Sequence, residues 1–310
     1  MAYLTIMDLG SNSTRMVVED IKADGTYTEI IRVKDDTRMS EGMGAEKILQ
    51  TYAMDRVITA LLKFKAMYVD LEDVTVRAIT TAAVRQATNQ QEFLDRVKAE
   101  VGLDVQVLSG DDEAYYDYLG ASQALSVKDA MLLDTGGASV ELVLIKDGKK
   151  SNLISIPFGA VNLSEQFQLG DVISAAKLFD AARFIQKQYS DVAWFGQGFN
   201  LPIVLLGGAN RTLARIDRTQ QAMTRIQDFH GYRMAANRVL DLFREMIALD
   251  LAERLEIPGL EAERADIIVG GFLPLVMMIS MLDSDRIIFS ESGVREGLIA
   301  EYVQGNFTEM

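Results

Sequence analysis

Hydrophobic and polar positions along this chain follow one pattern twice. Met7-Asp8-Leu9-Gly10-Ser11-Asn12-Ser13-Thr14-Arg15-Met16-Val17 aligns without a gap on Leu133-Asp134-Thr135-Gly136-Gly137-Ala138-Ser139-Val140-Glu141-Leu142-Val143. In each copy an apolar strand ends in Asp, a small-residue loop with Gly and Ser follows, and a second apolar strand leads to a turn at Asp24-Gly25 or Asp147-Gly148. A third strand, over residues 28–33 and 152–157, completes a β-meander in both copies. Agreement of Asp, Gly, Ser and the following apolar pair at a single offset predicts an internal duplication.

Behind each meander, helical and strand periods alternate. Residues 52–68 and 91–101 read as helices, and 74–79 and 105–108 as strands. In the second half, residues 175–189, 233–252 and 294–303 read as helical, and 203–206 and 287–289 as strands. That is a mixed α/β layout in duplicate. No Pro/Ser-rich linker marks a junction, so the boundary is expected near Gly120: one domain of residues 1–120 completed by 294–310, and a second of residues 121–293. A length of 310 residues suits two cores, because a single core seldom grows beyond about 250 residues.

Composition narrows the chemistry. The absence of Cys excludes disulfides, thiolate metal sites and a Cys nucleophile. A single histidine, His230, leaves a two-His metal site out of reach and a Ser-His-Asp triad nearly so, since only this residue could serve as its base, and it reads as a packed side chain with a satisfied hydrogen bond. What remains is carboxylate chemistry with a hard, oxygen-ligated cation such as Mg²⁺. The longest apolar run, residues 267–282, is shorter than the roughly 20 residues of a spanning helix and is broken by Gly270, Gly271 and Pro274. It reads as a buried helix with Met277, Met278 and Met281 filling core, and with no secretory signal pattern the expected setting is the cytoplasm. A net charge of −14 argues against a nucleic-acid partner. It would also repel an anionic ligand, although screening over about 8 Å leaves local arginines and bound cations dominant.

Loops of Gly and Ser after a strand let backbone N–H groups converge on an anion, because glycine accepts positive φ and leaves room for close approach. Two such loops facing each other would hold a phosphate chain from both sides. Asp8 and Asp134 end the first strand of each half, where a carboxylate can hold Mg²⁺ or its waters or serve the strand end alone. Glu141 follows Ser139 by two positions and projects on the same side as that loop. Taken alone, Glu113 in an acidic run reads as a solvated helix start, and Arg85 and Arg264 as surface ion-pair residues.

The two loop segments resemble the phosphate loops of the exopolyphosphatase and guanosine-pentaphosphatase family of the actin-like ATPase superfamily. Further stretches carry the resemblance from end to end: Thr81-Ala82-Ala83-Val84-Arg85, Ser109-Gly110-Asp111-Asp112-Glu113-Ala114, Gly207-Gly208, His230-Gly231-Tyr232-Arg233, Glu263-Arg264-Ala265-Asp266 and Gly293-Val294-Arg295-Glu296-Gly297. The resemblance implies two actin-like (ribonuclease H-like) α/β domains with an interdomain cleft. It implies release of terminal phosphate from inorganic polyphosphate, or of the 5′-phosphate of guanosine pentaphosphate, with Mg²⁺ or another divalent cation, in a homodimer. By the same resemblance Glu113 positions or deprotonates the attacking water, and Asp134 and Glu141, with Asp8, attend the metal. Gly10, Ser11, Asn12, Ser13, Gly136, Gly137, Ala138, Ser139, Gly207, Gly208, Arg85 and Arg264 match phosphate-binding positions.

Departures from the family pattern fall in the second loop, where Ala138 and Val140 replace a Gly and a Thr, and at Asp112, which replaces a Glu. If position 138 needs positive φ, alanine there costs about 1 kcal/mol. The chain also stops before the C-terminal helical region of longer relatives. Two other functions stay open on the residues: a phosphotransferase, because residues 204–210 also resemble the adenosine-side turn of actin-like kinases, and a weakly catalytic sensor of polyphosphate or alarmone nucleotides.

Overall fold

The computed structural model describes residues 2–305 and divides into two compact units, Met1–Glu113 with Arg295–Met310, and Ala114–Val294. The division passes through the first turn of a helix.

The first unit runs β1 (Ala2–Leu9), β2 (Thr14–Ile21), β3 (Tyr27–Asp35), α1 (Thr51–Tyr68), β4 (Val74–Thr80), α2 (Ala82–Gln86), α3 (Gln90–Val101), β5 (Val105–Val107) and the start of α4 (Gly110–Ala124). Its sheet has the order β3-β2-β1-β4-β5, with β1 antiparallel to β2 and parallel to β4. Strand alternation puts Met7, Leu9, Met16 and Val18 on one face, against Val57 and Leu61 of α1 and Phe93 and Val97 of α3.

The second unit continues with β6 (Ala130–Thr135), β7 (Val140–Lys146), β8 (Lys149–Ile156), α5 (Ala160–Phe167), α6 (Ala175–Ser190), β9 (Ile203–Leu206), α7 (Gly208–Gln220), β10 (Arg233–Ala235), α8 (Ala236–Ile247), α9 (Leu251–Leu255), α10 (Ile268–Leu282) and β11 (Arg286–Phe289). Helix α11 (Val294–Val303) then returns the chain to the first unit. The expected helical stretch over residues 233–252 is corrected here. Its first three residues form β10, which pairs antiparallel with β11, and helix begins only at Ala236.

The duplication is written into the registers. The order β8-β7-β6-β9-β11 repeats β3-β2-β1-β4-β5, with β10 added at one edge. Asp8 faces Arg15 and Asp134 faces Glu141 at equivalent hairpin positions. Both meanders carry a register shift at the same place in the repeat, between Val18 and Glu19 and between Leu144 and Ile145.

Both faces of the second sheet are covered. Met131, Leu133, Leu142 and Leu144 pack into a core with α5, α6, α7, α8 and α10, while Leu132, Val143 and Val204 on the other face meet Ala114 and Ala121 of α4. Helix α10 is apolar all round and central. Its Gly271 comes so close to α7 that an added Cβ would lie 2.5 Å from the Ala209 Cβ, and one on Gly270 would lie 2.7 Å from the Ala160 carbonyl of α5. Among the described residues no helix is long and apolar enough to cross a membrane.

Candidate phosphate loops and carboxylates

Each hairpin of the repeat closes through the same bond: the Gly10 N–H donates to the Ser13 carbonyl at 3.1 Å, and Gly136 to Ser139 at 3.0 Å. A side chain at the first position would be crowded, since a Cβ on Gly10 or Gly136 would sit 3.0 or 3.2 Å from that carbonyl oxygen. Positive φ is not the reason, contrary to the sequence expectation. No residue of 10–13 or 136–139 is left-handed, so Ala138 carries no backbone strain.

The loop carbonyls are tied back into their own units. Ser11 and Asn12 carbonyls accept from the Ser40 and Arg38 amides at 2.9 Å, while the Gly136 and Gly137 carbonyls accept from Ala160 and Val161 at the start of α5. Those α5 amides would otherwise be orphan donors of a helix terminus. Gly159 makes the approach possible, because any Cβ there would strike the backbone of residues 136–138. The loop carbonyls are thus engaged, while several of the loop amides are not. Those of Ser11, Asn12 and Ser13 bond no other described residue.

Beneath the loops the two copies differ in charge. In the first unit the ladder reads Asp8, Arg15, Lys34 across β1, β2 and β3. In the second it reads Asp134, Glu141, Ser155 across β6, β7 and β8. Glu141 is buried and accepts from the Ser155 hydroxyl at 2.7 Å. Asp134 and Glu141, directly opposite on antiparallel strands, share the sheet face that α4 covers. Two carboxylates suit Mg²⁺, which takes one or two from protein and fills its octahedron with water and phosphate oxygens. They do not make an all-protein cage: no group of three or more His, Asp or Glu placed to hold a metal occurs among the described residues. The structure therefore pairs Asp134 with Glu141, while Asp8 stands opposite Arg15.

Glu113 is buried, not the solvated helix start its acidic neighbours suggest. Ser109 and Asp112 cap α4 reciprocally, with Ser109 Oγ donating to Asp112 at 2.7 Å and the Asp112 N–H donating to Ser109 Oγ at 3.1 Å. This fixes the first turn that carries Glu113. Arg85, one residue from the end of α2, donates from Nη1 to Glu113 Oε2 and to the Leu108 carbonyl, both at 2.9 Å. Arg85 thus holds Glu113 in place.

At the β9–α7 junction Gly207 has φ +90°, which glycine alone takes without strain, and a Cβ there would run into the Asp134 carboxylate. A Cβ on Gly208 would collide with the buried Arg264 guanidinium. Arg264 is oriented by Glu261, 3.4 Å from its Nε, and Glu261 also accepts from Thr212 and Arg215. Burial pushes the Glu261 carboxyl up, but Arg264, Arg215 and Thr212 outweigh it and hold it below its ordinary range. His230 is a packed residue with both ring nitrogens engaged, by Ala124 and Glu291.

Sequence reading missed Arg15, Lys34, Ser155 and Gly159. Counting back from the Asp147-Gly148 turn would set Glu141 opposite Ile154; the bulge at Leu144/Ile145 moves it to Ser155, and nothing in the sequence marks that bulge.

A model of the Ppx/GppA phosphatase family matches residues 17–305. The crystal structure of the Aquifex aeolicus member of that family is 29% identical, covers 99% of this chain and 99% of that one, and superposes with a TM-score of 0.80. An exopolyphosphatase from Cytophaga hutchinsonii is 23% identical over 98% of each chain, with a TM-score of 0.88. An exopolyphosphatase-like protein is 20% identical over 99% of each, also at 0.88. The mixed α/β fold with two sheets matches the two-domain, actin-like architecture of these structures.

Proposed function

The chain belongs to the Ppx/GppA phosphatase family, and from that membership we propose that it hydrolyses the terminal phosphoanhydride bond of inorganic polyphosphate, with guanosine pentaphosphate as the other candidate substrate. The observation that carries this reading is the divergence of the two ladders under a common loop design. Cations at Arg15 and Lys34 suit phosphate oxygens, and carboxylates at Asp134 and Glu141 suit a divalent cation.

In this reading the loop residues Gly10, Ser11, Asn12 and Ser13, and Gly136, Gly137, Ala138 and Ser139, bind phosphate through backbone amides. Arg264, seated over Gly208 beside Gly207, meets phosphate through its planar fork. Glu113 orients the attacking water in line with the terminal phosphorus. Arg85 fixes the Glu113 carboxylate and is a positioning residue. Asp134 and Glu141 would hold Mg²⁺, which when bound neutralises charge on the transferred phosphoryl group. Asp8, opposite Arg15, is kept for the waters around it. The protein's own donors are in place before reaction, so little reorganisation is needed as charge develops. The reading includes a homodimer working in the cytoplasm.

Release of inorganic phosphate from polyphosphate and from guanosine pentaphosphate, measured side by side with Mg²⁺ and without nucleotide acceptor, tests the proposal. Faster release from polyphosphate is expected. No release from either substrate, or ATP consumption dependent on an added acceptor, would overturn it.

A further inference from the structure

We propose a second binding site in the Ala114–Val294 unit, for an organic phosphate of nucleotide size, at the N-terminal ends of β6, β9 and β11. This is the opposite end of β6 from the Gly136–Ser139 loop. A cavity of about 530 Å³ opens there, within the range of small-molecule sites. Its apolar floor includes Leu201, Pro202 and Ile288, and its rim carries Lys128, Arg233 and Arg286.

Strand register sets the charge geometry. Arg233 pairs with Ile288 across the β10–β11 ladder, and Arg286 lies two residues earlier on the same face, so two guanidinium groups flank one apolar side chain. Arg286 is braced by the Asn200 carbonyl at 3.0 Å and by Asp285 at 2.8 Å. The Arg233 side chain is exposed and bonds no described residue. Lys128 reaches Asp147 only loosely, at 3.5 Å, on an exposed surface. The one acid in the lining, Asp129, already accepts from the Asp147 N–H at 2.9 Å.

Arg233, together with Arg286 and Lys128, which Asp285 and Asp147 accompany, offers cations beside an apolar floor and suits an anion with an apolar body. Guanidinium forks suit phosphate oxygens and their faces stack on flat rings, which favours a nucleoside diphosphate over inorganic phosphate. The wall is stitched in place by the His230 stretch, for which the proposed hydrolysis has no use. His230 Nε2 donates to the Ala124 carbonyl at 3.1 Å, Nδ1 accepts from the Glu291 N–H at 3.3 Å, and Gly231 and Arg233 then line the cavity.

Methyl NMR of the full chain during titration with ADP locates the binding directly. Saturable shifts of the Ile288 and Leu201 methyls are expected, weakened at least about tenfold by Arg233→Glu and also weakened by Arg233→Ala. Phosphate release from polyphosphate should be unchanged in both variants. Absence of saturable shifts at millimolar ADP, shifts of equal midpoint in Arg233→Glu, or shifts confined to Ala138 and its neighbours would overturn the proposal. Equal affinity for inorganic phosphate would overturn the organic part.

Discussion

One methyl group at Gly208 would occupy the space of the Arg264 guanidinium, so Gly208→Ala tests that packing at atomic scale. The variant should lose about 1–3 kcal/mol of stability in urea unfolding and most of its phosphate release. A wild-type profile would show that Arg264 is free to move. Glu19 is the other telling residue. It is buried on β2 opposite Glu29, with Arg32 on β3 and Arg295 and Glu296 on α11 around it, and its Oε2 has no hydrogen-bond partner among the described residues. Burial first, and the Glu29 charge second, push its carboxyl from 4.5 up to about 7. The folded chain thus keeps a proton that the unfolded chain would release. The contribution is full below about pH 4.5 and is lost as pH rises towards 7. Thermal unfolding from about pH 5 to pH 8 should show wild type losing Tm more steeply than Glu19→Gln. Parallel curves would mean that the carboxyl is not protonated in the fold.

At the scale of elements, α10 fixes the spacing of α5 and α7, whose N-termini hold the Gly136–Gly137 carbonyls and the Gly207–Gly208 turn. Gly271→Val puts a branched side chain where the Ala209 Cβ stands. It should lower Tm and depress phosphate release together, and an unchanged Tm would show that the helices can part. The buried helix over residues 267–282 and both meanders were readable from periodicity alone, because burial on all sides and strand alternation leave strong patterns. The Asp8/Asp134 repeat was readable for the same reason. Residues 233–235 were not, since three residues of an edge strand fused to an amphipathic helix leave no period of their own. Ser155 was hidden by a bulge, and the burial of Glu113 by its acidic neighbours, because Arg85 comes from 28 residues away in sequence.

For the whole molecule, duplication followed by divergence leaves one hairpin design with two different charge ladders. Equal registers and equal bulges keep the two loops alike, while exchange of Arg15 for Glu141 and Lys34 for Ser155 at matching positions separates a cationic ladder from a carboxylate one. Activity should therefore depend on a divalent cation: EDTA should abolish phosphate release and Mg²⁺ restore it, whereas Glu141→Gln should raise the Mg²⁺ concentration needed. Full activity in EDTA would remove the cation from the account. The most direct test of the central claim is phosphate release from polyphosphate by Glu113→Gln beside wild type, with polyphosphate binding measured on the same samples. Turnover is predicted to fall by about 10²–10⁴ with binding retained, and near-normal release by the variant would contradict the assignment of Glu113 to the attacking water.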